Sequence, residues 1–360
     1  MKMLLIRLIN NTLAHLGGAV VAYANDTDKT YYYKPNLIVG TASEEFTPTE
    51  YAFSGYTFTS PNFRVKYTGD TLTNLLGTFS AQAGLTSLDK FTVDTSKVTD
   101  MRGMFNSCSS LASLDLSSFD TSNVTEMDWM FGFCSSLTSL NLSSFNTNNA
   151  TNMNNMFNRC SSLASLDLSN FNTSNVTDMS VMFQWCTSLA SLGLGNFNTS
   201  AATNMKYMFI GCSSLTSLDL SSFDTSNVIN MQCMFRDCLS LTELDISSFN
   251  TNAVYNMKYM FDGCYSLISL NVSSFNLSAV TDVDYMFNEC SSLTDLQFGT
   301  NLKLSLDLHY CPLTHTSALS VLNGLATDGQ TITFKATTYS TLTAAEIKTA
   351  TDKGWTITSA

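Results

Sequence analysis

Residues 215–240 read LTSLDLSSFDTSNVINMQCMFRDCLS, and this pattern returns every 26 residues on both sides of them. Its M-x-x-M-F-x-x-C element occurs eight times, opening with Met101, Met104, Phe105 and Cys108 and ending with Met286, Phe287 and Cys290, where Val283 replaces the first methionine. A strict period of this length predicts a stacked solenoid, because one short unit cannot bury its apolar face alone and does so only against its neighbours. Fifteen of the 17 methionines and eight of the 10 cysteines fall in the element, so their abundance is architectural before it is chemical.

Residues 111–136 serve as one unit. Its L-x-x-L-x-L run ends in period-two alternation, which sends Leu114 and Leu116 to one side and Ser113, Asp115 and Ser117 to the other, as in a short half-buried strand. Beyond Phe119, the residues Val124, Met127, Met130, Phe131 and Cys134 stand at i, i+3, i+6, i+7 and i+10, which predicts a helix of two to three turns with one buried stripe. Asn123 and Glu126, three apart ahead of the stripe, fit an N-cap with a reciprocal acidic side chain. Stacking the coils lays nine strand registers, from Leu88 to Leu296, side by side as a parallel sheet with about 4.8 Å between strands. The expected fold class is α/β: a leucine-rich-repeat solenoid with a parallel β-sheet on one face and short helices on the other.

The unit at 215–240 closely resembles the BspA-like leucine-rich-repeat proteins, whose repeats carry the same L-x-x-L-x-L-S-S-F, D-T-S-N-V and M-F-x-x-C signatures. The resemblance runs from residue 85 to about 298, more than half of the chain. It implies extracellular display and adhesion to host or partner macromolecules without enzymatic activity. It supplies no ligand and no binding residues, since its signature positions are core positions. The C-terminal stretches LTHTSALSVLNGLATDGQTITF (313–334) and LTAAEIKTATDKGWTIT (342–358) resemble a module that often closes such arrays in proteins of gut bacteria and their phages.

Four segments follow: 1–24, 25–84, 85–300 and 301–360. In the first, Lys2 and Arg7 precede an apolar stretch ending Val20-Val21-Ala22-Tyr23-Ala24-Asn25, with Ala22 and Ala24 in the small-residue positions of a signal-peptide cleavage site. Arg7, Asn10, Asn11 and His15 interrupt that stretch, and an amphipathic helix using Leu4, Leu5, Leu8, Leu13 and Leu16 fits it equally well. The second segment is rich in aromatics (Tyr31, Tyr32, Tyr33, Tyr51, Phe53, Tyr56, Phe58, Phe63 and Tyr67) among Thr, Ser, Gly and Pro, which predicts a β-rich cap or mounting segment. The last predicts a small α/β cap: a helix over 318–326, a strand over 331–335, a helix opened by a Thr343–Glu346 capping box and stopped at Gly354, and a strand over 355–358. No stretch after the N-terminus approaches the ~20 apolar residues of a membrane-spanning helix.

A net charge of −12, from 17 basic and 29 acidic residues, argues against nucleic acid and anionic membrane surfaces, since no Lys/Arg stripe exists to displace phosphate counterions. The cysteines follow the repeat period rather than a C-x-x-C spacing, so they read as buried free thiols, with Cys233 and Cys311 outside the column. His309, His315 and Cys311 are too loosely spaced for a metal site. His15, the remaining histidine, completes no pairing of nucleophile and base. The strand column Asp89, Asp115, Asn141, Asp167, Gly193, Asp219, Asp245, Asn271 and Gln297 reads as a solvated polar ladder rather than a calcium site, because no loop wraps an ion. No cofactor, metal or catalytic residue is expected.

The strand face is monotonous, with Ser in seven of nine registers of the Ser113 column. The opposite face carries Trp129, Phe133, Trp185, Tyr207, Tyr259 and Tyr285, with Ile210, among the cations Arg159, Lys206, Arg236 and Lys258. Aromatics with a few cations are the enriched chemistry of protein and sugar contacts, so these six aromatics are the candidate partner-binding residues. The expected function is a non-catalytic, secreted or surface-exposed protein that binds or adheres to a protein or glycan; the alternative is a structural or receptor-binding component of a phage virion.

Overall fold

The computed structural model describes residues 73–360, except 89, 92–93 and 328, together with the backbone of strands Thr30–Tyr33 (β1), Leu37–Gly40 (β2) and Arg64–Tyr67 (β3). The helix or signal read over 1–24 lies outside the described residues, as do Asp89, Tyr51, Phe53, Tyr56, Phe58 and Phe63. The chain divides into two units, Met1–Phe171 and Asn172–Ala360.

In the first unit β1, β2 and β3 form an antiparallel run, and β3 continues in parallel with Lys90–Phe91 (β5), which ties the aromatic upstream segment to the first coil. Ser87–Leu88 (β4) pairs in parallel with Ser113–Leu114 (β6), Leu88 facing Leu114 one repeat on, and Ser165–Asp167 (β7) occupies the same place two repeats later. In the second unit the strands are Ser191–Gly193 (β8), Glu243–Leu244 (β9), Ser269–Asn271 (β10) and Asp295–Gln297 (β11). There β9, β10 and β11 are parallel, with Leu244, Leu270 and Leu296 in register. Each unit is thus a leucine-rich-repeat solenoid of short parallel strands.

Identical coils place identical side chains on top of one another. Phe79, Phe105, Phe131 and Phe157 stack with centroids 5.3, 5.8 and 5.7 Å apart; Phe183, Phe209, Phe235, Phe261 and Phe287 do so at 5.5–5.7 Å in the second unit. The column cysteines are buried and free, and their thiols donate to the phenylalanine carbonyl of the preceding coil, as Cys134 Sγ to Phe105 O at 3.2 Å and Cys264 Sγ to Phe235 O at 3.1 Å. A buried threonine bridges coils in both directions: Thr121 Oγ1 donates to Asn146 O and accepts from Asn146 N, each at 2.8 Å. Up to three aspartate or asparagine side chains per coil accept from the amide two residues on, as Asp115 from Ser117, Asp120 from Ser122 and Asp100 from Arg102, and so hold the corners of the coil.

The short helices expected over residues 124–134 and their equivalents do not form; that face is a succession of turns. Amides alternate in direction. Met104, Asn106 and Cys108 donate to the carbonyl three residues back, while Gly103, Phe105 and Ser107 donate to Asp128, Met130 and Gly132 of the next coil at 2.8, 2.9 and 2.7 Å. This pattern requires a left-handed backbone twice per coil, at Gly103 and Ser107, Trp129 and Phe133, and Asn155 and Arg159 in the first unit. In the second it falls at Val181 and Trp185, Tyr207 and Gly211, Cys233 and Asp237, Tyr259 and Gly263, and Tyr285 and Glu289. A right-handed helix admits no such residue. Asn123 likewise caps nothing: its Nδ2 donates to Ser96 O of the preceding coil at 2.7 Å, and Glu126 lies in a column of single parallel bridges.

Among the described residues helices appear only near the C-terminus: His315–Asn323 (α1), Ala336–Tyr339 (α2) and Ala344–Thr351 (α3), the last opened by the expected Thr343–Glu346 capping box. They alternate with the parallel strands Leu306–Leu308 (β12), Thr331–Phe334 (β13) and Thr356–Ser359 (β14), where Leu306, Ile332 and Ile357 are in register. The spacing stays at the repeat pitch, so this segment continues the winding with helices in it. α1 lies on β11, and Leu296 N and Phe298 N donate to Ser317 Oγ and Ser320 Oγ at 2.9 and 2.8 Å. Two hydroxyls thereby satisfy the donors that a further strand would have met, and the sheet edge is closed.

Candidate functional site

All six aromatics singled out from the sequence occupy the left-handed positions of the turn face. Inward residues of each turn are the methionines, phenylalanines and cysteines of the core, so the left-handed residues carry their side chains outward. Trp129, Trp185, Tyr207 and Tyr259 are half-buried, whereas Phe133 and Tyr285 are exposed. Ile210 is not on this surface; it is buried.

In the first unit the structure brings Trp129 and Phe133 together, with rings parallel within 3° and centroids 5.9 Å apart, and the Arg159 guanidinium stands 5.5 Å over Phe133. The two coils before Trp129 carry Gly77 and Gly103 at its position, so the ring rises as a wall beside a floor without side chains. The resulting groove has a volume of about 600 Å³ and is lined by Leu76, Gly77, Ser80, Arg102, Gly103, Asn106, Asp128, Trp129 and Phe133. Gly132 allows the indole to lie down: a Cβ there would come within 2.8 Å of Trp129 Cε3. Arg102 is held by both oxygens of Asp100, at 3.0 and 2.7 Å. Burial pushes the Asp128 carboxyl above the usual range, against the attraction of Arg102. Asp128 Oδ1 and Asn106 Oδ1 are buried acceptors without a hydrogen-bond partner.

In the second unit Tyr259 and Tyr285 stack at 4.9 Å, with Arg236 Cζ 4.8 Å and Lys258 Nζ 5.5 Å from the Tyr259 centroid. Arg236 Nε is in ion-pair contact with Asp262 Oδ2 at 3.0 Å, without the angle of a hydrogen bond, and Lys258 Nζ reaches Asp284 Oδ2 at 3.1 Å. Trp185 settles over Gly211, where a Cβ would come within 2.4 Å of the indole. Burial raises the Tyr207 phenol, with Cys233 and Arg236 nearby.

The strand face of the second unit holds a shallow depression of about 530 Å³ lined by Ser217, Asp219, Glu243, Asp245, Ser269 and Asn271 with the edges of Leu218 and Leu244. Asp219 and Asp245 each accept from the amide two residues on, at 3.0 Å, and hydrogen bonds from Ser221 and Ser247 hold their carboxyls below the usual range. These oxygens belong to their own turns. His309 pairs with Asp307 at 2.8 Å, His315 with Glu346 at 3.1 Å, and Cys311 is buried, so each has its own partner or packing. Among the described residues no group of three or more His, Cys, Asp or Glu is placed to hold a metal, and no helix is long and apolar enough to cross a membrane.

Asn106, Asp128, Arg102 and Gly77 were not legible as site residues. Their only sequence signal is that Gly77 and Gly103 stand 52 and 26 residues before Trp129, so that small residues precede a large one in the same column.

The sequence matches a family described as "Mycoplasma protein of unknown function, DUF285" over residues 73–192, 162–244 and 182–297, more than half of the chain. No curated protein matches. Among solved structures, a leucine-rich repeat protein from Eubacterium ventriosum aligns at 14% identity over 82% of this chain and 90% of that one, with a TM-score of 0.30. A TLR13–ssRNA13 complex aligns at 18% identity over 73% of this chain and 48% of that one, with a TM-score of 0.22. At these scores neither bears on function, and the fold rests on the chain's own register.

Proposed function

The chain belongs to the DUF285 family, and from the surface its repeats build we propose that it is a non-catalytic binding protein that presents its turn face to a protein or glycan partner. One observation carries this reading: six large aromatics occupy left-handed backbone positions where Gly103, Gly211, Gly263 and Asn155 serve the same turns elsewhere. A left-handed backbone costs a residue with a Cβ about 1–2 kcal/mol. Strain of this kind concentrates where surface chemistry is put to use. Half-buried and exposed rings beside Arg159, Arg236 and Lys258 supply the amphipathic area that recognition favours. The BspA-like signatures make adhesion at a cell surface the leading setting. The polar interruptions at Arg7, Asn10, Asn11 and His15 favour a second setting, a phage particle with the repeats displayed.

Mass spectrometry of the native protein from fractionated source material separates the settings. A mature chain beginning at Asn25 outside the cell supports secretion; an intact start at Met1 in purified particles supports the virion. The role itself is tested by capture of a partner from that material, using the wild type and a Trp129→Ala, Trp185→Ala, Tyr207→Ala triple variant. Loss of capture with an unchanged unfolding midpoint is expected. Undiminished capture by the triple variant removes the turn face from binding.

A further inference from the structure

The groove beside Trp129 is built from one column of the first unit. Gly77 and Gly103 leave the floor bare, Trp129 and Phe133 stack into a wall, and Asn106, Asp128 and Arg102 bring polar groups to it. We propose that it is a saccharide site, in which a neutral sugar ring packs on the Trp129 wall and donates hydroxyl hydrogen bonds to Asp128 Oδ1 and Asn106 Oδ1. This assignment rests on the binding role proposed above and names the ligand class for one part of that face.

The unpaired atoms choose the ligand's polarity. Both are acceptors, closed to bulk water and without a partner, so the cost of stripping water from them is already incurred and a ligand that donates recovers it. Engaging them requires the Asn106 or Asp128 side chain to rotate its oxygen toward the groove, a movement that belongs to the proposal. Charge then narrows the donor. The Phe133 ring already carries the Arg159 guanidinium, and Arg102 stands in the lining, so an incoming cation meets two like charges. An anion fares no better: Asp100 and Asp128 are adjacent, and Arg102 is committed to Asp100 by two hydrogen bonds. A neutral ring with hydroxyl donors on its rim and an apolar C–H face satisfies the wall and both oxygens together. The volume of about 600 Å³ lies within the roughly 300–1,000 Å³ of ligand clefts.

The full-length chain is titrated with three neutral probes, the N-acetylglucosamine trimer, cellotetraose and mannotriose, and with an arginine-rich peptide, by calorimetry and saturation-transfer NMR. Saturable binding of at least one saccharide, insensitive to added salt, is expected. Trp129→Gly and Gly103→Asn each weaken it by about tenfold or more. Both replacements are residues that a left-handed position accepts, and Asn155 already holds the equivalent place, so the fold persists, as the unfolding midpoint verifies. Ile268→Ala, at an exposed position outside the aromatic set, leaves the saccharide affinity unchanged. Absence of saturable binding to all three sugars, or binding indifferent to both groove variants, overturns the site. Salt-screened binding of the peptide in place of the sugars overturns the ligand class. The wider binding role fails on a different result, undiminished partner capture by the triple variant.

Discussion

Gly103 has φ +56°, and a Cβ built there would meet only Asn106 Cβ at 3.6 Å, an ordinary contact. Substitution to alanine therefore reads the backbone alone. In a helix, Gly→Ala gains about 0.8–1 kcal/mol. In the observed turn it forces an L-residue into the left-handed region and costs about 1–2 kcal/mol. Gly103→Ala is expected to lower the urea midpoint, and a rise would rule out the left-handed turn. Phe105→Ala, two residues on and fully buried between Phe79 and Phe131, is expected to cost about 3–5 kcal/mol as a cavity. The core was legible at this scale because burial follows the period whatever the backbone does: Met101, Met104, Phe105 and Cys108 are all fully buried. The conformation of the residues between them was not. A stripe at i, i+3, i+6 and i+7 arises equally from a helix and from successive turns, since both return a side chain to the same side every three to four residues. The distinguishing signal lay in the other copies, where Gly, Asn and Asp recur at the positions of Trp129 and Phe133.

At the scale of elements, the end of the strand sheet depends on two serines. Leu296 and Ser317 are fully buried, and the Ser317 hydroxyl both accepts from Leu296 N at 2.9 Å and donates to Thr294 O at 3.1 Å. Ser317→Ala leaves a buried amide without an acceptor, a loss of about 1–3 kcal/mol. Hydrogen exchange at the Leu296 amide is expected to accelerate together with the drop in stability. Unchanged protection would mean that α1 does not close this edge. The helices and strands of this segment were legible because each carries its own local signal, such as the capping box. Their registration was not, because nothing local announces that a helix will replace a strand in the next coil. Only the spacing of Leu306, Ile332 and Ile357 records that the winding continues.

For the whole molecule, the columns set how stability responds to pH. Asp94, Asp115, Asp120, Asp167, Asp219, Asp224 and Asp245 are held below the usual carboxylate range by hydrogen bonds from the serine two residues on. Their contribution is present above the ordinary carboxylate value and is lost as pH falls through the depressed ones. Burial acts the other way on the thiols: it raises Cys108 and Cys238 to about 12, and it lifts Cys134, Cys212 and Cys264 well above 9.0. Well below pH 9 these thiols are protonated both folded and unfolded. Above it the unfolded chain releases protons that the folded chain retains, so stability falls as pH rises through the folded values. Each buried thiol adds one proton to that difference, or about 1.4 kcal/mol per pH unit. Urea unfolding between pH 8 and 11 is expected to show a flat region followed by a steepening loss. Cys134→Ala, though less stable at pH 8, is expected to lose stability less steeply above pH 9, because one titrating thiol is gone. A slope identical to that of the wild type would show that Cys134 ionises alike in both states, and with it the stacked column of thiol-to-carbonyl bonds would fall.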